Sequence, residues 1–95
     1  MTEDNYVTLR LPAPLRPYVN KQSTVEVEGI TVGEAVANLV LEYPELGRHL
    51  LDGDGTLRPF VHLYLNGEDI YEREGVETPL EPGDRLAIVP AIAGG

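Results

Sequence analysis

Arg85-Leu86-Ala87-Ile88-Val89-Pro90 is the stretch on which the reading of the fold turns. Leu86 and Ile88 fall on one parity of an extended chain and Ala87 and Val89 on the other, so both faces are apolar. An edge strand seldom tolerates that. The pattern therefore places this strand inside a sheet, with a helix over one face and the other face open to a partner.

Working outward, Tyr6-Val7-Thr8-Leu9-Arg10-Leu11 alternates strictly, with Val7, Leu9 and Leu11 on one face and Tyr6, Thr8 and Arg10 on the other. Pro12, Pro14 and Pro17 forbid regular pairing until Thr24-Val25-Glu26-Val27 resumes the alternation. The two strands are expected to pair antiparallel around an irregular loop. Thr31-Val32-Gly33-Glu34 has the spacing of a capping box, with Thr31 as N-cap and Glu34 reaching back. Val32, Ala35, Val36, Leu39, Val40 and Tyr43 then recur every three or four residues, forming one apolar helical stripe that ends before Pro44. A further short turn of helix is expected from Pro44 to Leu51, ended by Asp52-Gly53-Asp54-Gly55.

Phe60-Val61-His62-Leu63-Tyr64-Leu65 alternates again, aliphatic inward and Phe60, His62 and Tyr64 outward, and Asn66-Gly67 turns it. Seven acidic residues, two glycines and two prolines from Glu68 to Asp84 read as turns, with a short edge strand near Ile70-Tyr71. Strand, strand, helix, strand, short strand, strand without repeat or linker is an α+β order. If the helix is a crossover to the middle of the sheet, the last strand lies parallel to the first. That is a β-grasp, as in ubiquitin: a mixed sheet of four to five strands with one main helix packed on one face. Residues 1–90 form the domain and residues 91–95 a flexible C-terminal tail.

The 95 residues suffice for a single core, and 42% of them are hydrophobic. A net charge of -9 disfavours nucleic acid and favours a basic protein partner. No apolar run approaches the ~20 residues of a membrane span, and Met1-Thr2-Glu3-Asp4 lacks the positive start of a signal peptide, so a cytoplasmic protein is expected.

Chemistry narrows by elimination. Cysteine is absent, which excludes thiolate nucleophiles and disulfides and, with His49 and His62 the only histidines, leaves no credible zinc site. Ser23 is the sole serine, which offers no plausible triad. Asp52-Gly53-Asp54-Gly55 begins like a calcium loop, but no glutamate closes the ligand series, and a turn explains it. What remains is the carboxylate of Gly95 at the end of Pro90-Ala91-Ile92-Ala93-Gly94-Gly95. Side-chain-free Gly94 and Gly95 can thread a narrow channel, and the tail reaches about 20 Å at roughly 3.3 to 3.6 Å per residue. Ordering such a tail costs about 1 to 2 kcal/mol per residue, so the folded body must add a docking face. Parity nominates Phe60, His62, Tyr64, Ala87 and Val89, unless loops or a second helix cover them.

These residues resemble the ubiquitin-like sulfur carriers of the MoaD and ThiS type. The resemblance covers most of the chain and is carried by the Pro90–Gly95 ending, by Pro82-Gly83-Asp84 and by Tyr64-Leu65-Asn66-Gly67-Glu68. Leu15-Arg16-Pro17, Phe60-Val61-His62-Leu63-Tyr64, Glu68-Asp69 and the Ala93-Gly94-Gly95 ending look most like the carriers of cysteine biosynthesis. The resemblance implies that an E1-like adenylating enzyme of the MoeB or ThiF type uses MgATP to activate Gly95, and that sulfur transfer yields a thiocarboxylate. The sulfur acceptor it implies is either a cysteine synthase-like pyridoxal-phosphate enzyme, followed by a metallopeptidase, or the large subunit of molybdopterin synthase. The chain would then be a protein co-substrate with no bound cofactor, not an enzyme. Two alternatives remain at this point: a protein modifier joined through Gly95 to lysines, and a noncovalent β-grasp adaptor with an incidental tail.

Overall fold

The structure, a computed structural model, describes residues 5–59 and 61–90. Its strands are β1 (Tyr6–Arg10), β2 (Thr24–Glu28), β3 (Val61–Leu65), β4 (Glu68–Asp69) and β5 (Arg85–Pro90), and its α-helices are α1 (Val32–Glu42) and α2 (Leu46–Leu50). They form one sheet of order β2-β1-β5-β3-β4. β5 runs parallel to β1, with Leu9 opposite Leu86, and antiparallel to β3, with Leu63 opposite Ile88. The strand that is apolar on both parities is therefore the central one, and the topology is the β-grasp.

The alternating sequences put Val7, Leu9, Val25, Val27, Val61, Leu63, Leu65, Leu86 and Ile88 on the buried side of the sheet. Val32, Ala35, Val36 and Leu39 of α1 pack on them, and Leu46 and Leu50 of α2 complete the core. Fully burying one such leucine contributes about 1.5–3 kcal/mol, so this layer carries most of the favourable free energy of folding. The start of α1 is capped as its sequence requires, with the Glu34 amide donating to Thr31 Oγ1 at 3.1 Å. Glu34 Oε1 accepts from the Ile30 amide at 2.7 Å, one residue further back than a standard capping box.

Two local expectations are corrected. The connection between β1 and β2 is a 3-10 helix over Ala13–Val19. Pro14 suits its first turn, and Leu15 and Val19, four apart, tuck into the core. Asn20 and Lys21, both at positive φ, then reverse the chain. The short edge strand is Glu68–Asp69, not Ile70-Tyr71. The Asn66-Gly67 turn pairs Leu65 directly with Glu68, and Asp69 Oδ1 then accepts from the Tyr71 amide at 2.9 Å, starting a 3-10 turn over Ile70–Glu72. Ile70 becomes fully buried, which draws the chain off the sheet edge.

α1 lies so close to the end of β2 that a Cβ at Gly29 would sit 2.6 Å from the Ala35 backbone nitrogen. Backbone cannot yield as a flexible side chain does. Gly29→Ala is expected to destabilise the fold by about 1–3 kcal/mol, read as a lower urea midpoint at unchanged m-value.

Candidate functional site

The outer side of β5 is the surface on which the site is built. Ala87 is half-buried there and Val89 is 45% exposed, and both border an open depression. On one side, β3 sets Tyr64 beside Ala87 and His62 beside Val89. Across the sheet, β1 sets Arg10 beside Ala87 and Thr8 beside Arg85. His62, Tyr64, Ala87 and Val89, nominated from the sequence, thus come together on one open face. Phe60 lies outside the described residues, as do Ala91, Ile92, Ala93, Gly94 and Gly95. Pro90 closes β5 opposite Val61.

Sequence reading missed the arginines of this face. Thr8, Arg10, Thr24, Tyr64, Arg85 and Ala87 line an open depression of about 860 Å³. Arg10 and Arg16 border a second one, of about 270 Å³, beside Ala87 and Val89. The signal was available, since Arg10 shares parity with Thr8 and Arg85 with Ala87. Only the register of β1 against β5 brings the two parities side by side.

The entry to β5 is held at several points. Gly83, at φ +88°, gives the Glu81–Asp84 turn a conformation that glycine adopts without strain. Asp84 Oδ2 accepts from the Glu81 amide at 2.8 Å and Oδ1 from Asn66 Nδ2 at 3.2 Å. The Arg85 amide donates to Asn66 Oδ1 at 3.0 Å. The Gly83 amide reaches Tyr6 O at 2.9 Å, and the Thr8 amide reaches Asp84 O at 3.0 Å. Pro82-Gly83-Asp84 and Asn66-Gly67 therefore act together, locking the start of β5 to β1 and to the β3–β4 hairpin.

The remaining polar candidates have structural roles. The His49 ring packs at a tilt against Tyr18, with centroids 4.6 Å apart. The Thr56 hydroxyl donates to Asp54 Oδ1 at 2.8 Å and its amide at 3.3 Å, holding the Asp54 carboxyl below its ordinary pKa. Asp52 faces Arg58 at 3.5 Å. This loop is a hydrogen-bonded turn, and among the described residues no group of three or more histidine or carboxylate side chains could hold a metal ion.

A ubiquitin-like fold with an open sheet face beside its C-terminal strand defines the class: a small β-grasp protein. The chain belongs to the ThiS family, whose model matches residues 9–95. It is 36% identical over 91 residues to the sulfur carrier protein CysO of Mycobacterium tuberculosis, covering 94% of this chain and 98% of that protein. It is 33% identical over 89 residues to small archaeal modifier protein 3 of Haloferax volcanii, covering 92% of this chain and 96% of that one. Among solved structures, the Amycolatopsis orientalis BexX/CysO complex contains a chain that matches with a TM-score of 0.84 at 32% identity, covering 94% of this chain and 99% of the other.

Asp84→Ala removes the acceptors of the Glu81 amide and the Asn66 side chain. The expected loss is about 1 kcal/mol of stability. Amide exchange at Thr8 and Arg85 should accelerate more than at Leu39, because the entry to β5 loosens while the helix does not.

Proposed function

We propose that this protein is a sulfur carrier whose C-terminal Gly95 carboxylate is the working group. The observation that carries the reading is β5: a central strand held at its entry, presenting apolar Ala87 and Val89 on its open face, and leading in sequence directly into Ala91-Ile92-Ala93-Gly94-Gly95 on a chain of the ThiS family. Residues 1–90 act as the body and residues 91–95 as the segment inserted into partner enzymes. In this reading an E1-like adenylating enzyme joins the carboxylate to AMP from MgATP, releasing pyrophosphate. A sulfur nucleophile then displaces AMP to leave a thiocarboxylate. Its sulfur, soft and anionic at neutral pH, attacks an electrophile held by the acceptor enzyme.

The likeness to CysO supports cysteine biosynthesis as the pathway, with a cysteine synthase-like pyridoxal-phosphate enzyme as acceptor and a metallopeptidase downstream. Molybdopterin synthesis, through the large synthase subunit, is the other destination. Ala91, Ile92, Ala93 and Gly94 thread the channel, whereas Pro90, expected from the sequence to thread with them, is paired with Val61 at the end of β5 and belongs to the body; His62, Tyr64, Ala87 and Val89, with Phe60, form the docking face. The chain is the co-substrate; MgATP belongs to the activating partner. A second reading, conjugation through Gly95 to lysines of other proteins, is favoured by the likeness to small archaeal modifier protein 3. Both readings share the same acyl-adenylate.

Incubation with the cognate adenylating enzyme, MgATP and a sulfur donor should replace one C-terminal oxygen by sulfur, seen by intact-mass measurement. An unchanged mass with a competent enzyme overturns the carrier reading, and thiol-resistant conjugates on denaturing gels would establish the modifier one. Deleting Gly95 should abolish the shift and leave the melting temperature unchanged. Tyr64→Asp should weaken binding to the activating enzyme roughly tenfold without unfolding the domain.

A further inference from the structure

Arg10 and Arg85 are both exposed on the open face, on a chain of net charge -9. The ion pairs of the described residues lie elsewhere, Arg58 with Asp52 and Arg73 with Glu68, so neither Arg10 nor Arg85 has a carboxylate within 4.0 Å among those residues. Arg10 stands beside Ala87 and Arg85 beside Thr8, which makes the two arginines diagonal neighbours across β1 and β5. With a strand spacing of about 4.8 Å and a rise of about 3.3 Å per residue, their Cα atoms are roughly 8 Å apart. Further along β5, Val89 and His62 form an apolar and aromatic step. Arg16, bordering the same end, is turned by a 3.1 Å bond from Nε to Leu11 O.

We propose that this face docks an extended acidic segment of a partner protein, of the pattern acidic-x-acidic-x-apolar. Side chains at alternate positions of an extended segment share a face and are roughly 7 Å apart, which is close to the Cα spacing of Arg85 and Arg10 and to the step to Val89. Carboxylates meet Arg85 and Arg10, and the apolar residue covers Val89. A whole polyanion would be repelled by the acidic body and by Glu26, which stands opposite Thr8 on the same face, whereas a short segment running along β5 meets Arg85 and Arg10 first, within a Debye length. Net charge pointed to a basic partner; the outer face of β5 selects an acidic one. The inference rests on the carrier reading only in assigning this partner to the enzymes that handle Gly95.

The test is an NMR titration of the full chain with the blocked peptide Glu-Thr-Glu-Thr-Leu and its control Gln-Thr-Gln-Thr-Leu at low ionic strength. The acidic peptide should shift the amides of Arg10, Arg85, Ala87 and Val89 saturably, the control should not, and the shifts should fade toward 1 M salt. Arg10→Ala with Arg85→Ala should weaken binding by roughly fivefold per arginine while spectral dispersion is retained. The proposal is overturned by equal binding of the control peptide, by shifts centred on Arg48 and Arg58, or by the absence of saturable shifts up to about 10 mM peptide. It is equally overturned if inorganic phosphate reproduces the shifts, or if they appear on concentrating the protein alone, which would mark a general anion site or self-association. Thiocarboxylate formation is read separately by mass, so either proposal can fail while the other stands.

Discussion

The parallel pairing of β5 with β1 is the contact on which the rest of this molecule depends. Leu9 meets Leu86 across it, and the Asp84 carbonyl accepts from the Thr8 amide where the two strands begin to run together. Parallel neighbours cannot be joined by a tight turn, so nearly the whole chain between them is the connection. Closing so long a loop costs entropy before any contact repays it. The compensation is the layer formed by Val32, Ala35, Val36 and Leu39 of α1 against Val7, Leu9, Leu86 and Ile88. Asn66 and Asp84 add polar bonds that settle where β5 starts.

The sheet is unequally covered, and that asymmetry links fold to function. One side of β5 is apolar because α1 lies near it in the core; Leu86 and Ile88 need no other explanation. Folding alone does not account for Ala87 and Val89, which face outward with Tyr64, His62 and the two arginines. A strand whose outer face is ready for contact, and whose chain continues into Ala-Ile-Ala-Gly-Gly, suits a protein handled by others. In the proposed role, binding through residues 91–95 alone would lose much of its gain to ordering, and a pre-formed face on β5 would lower that cost.

Much of the fold was legible because its signals are local. Alternation identified β1, β2, β3 and β5; the Thr31 cap and the stripe to Tyr43 identified α1; Asn66-Gly67 identified the hairpin. The misjudged pieces are those where packing overrules local pattern. Three prolines suggested an irregular loop, yet Leu15 and Val19 bury themselves through a 3-10 helix. Ile70 looked like strand, yet it leaves the sheet to fill the core after Asp69 caps its turn.

The sequence by itself determined which side chains share a strand face and which strand had to be central, and it nominated the Gly95 carboxylate, the group proposed to react, once thiols, a triad and metal ligands were set aside. Those conclusions need only backbone periodicity and the chemistry of the residues present. Tertiary structure alone decided that Arg10 and Arg85 stand together with Tyr64 and Val89 on the uncovered side. Their approach depends on the register between strands remote in the chain. That register is set by how Leu9, Leu86 and the α1 side chains pack, which no local pattern encodes.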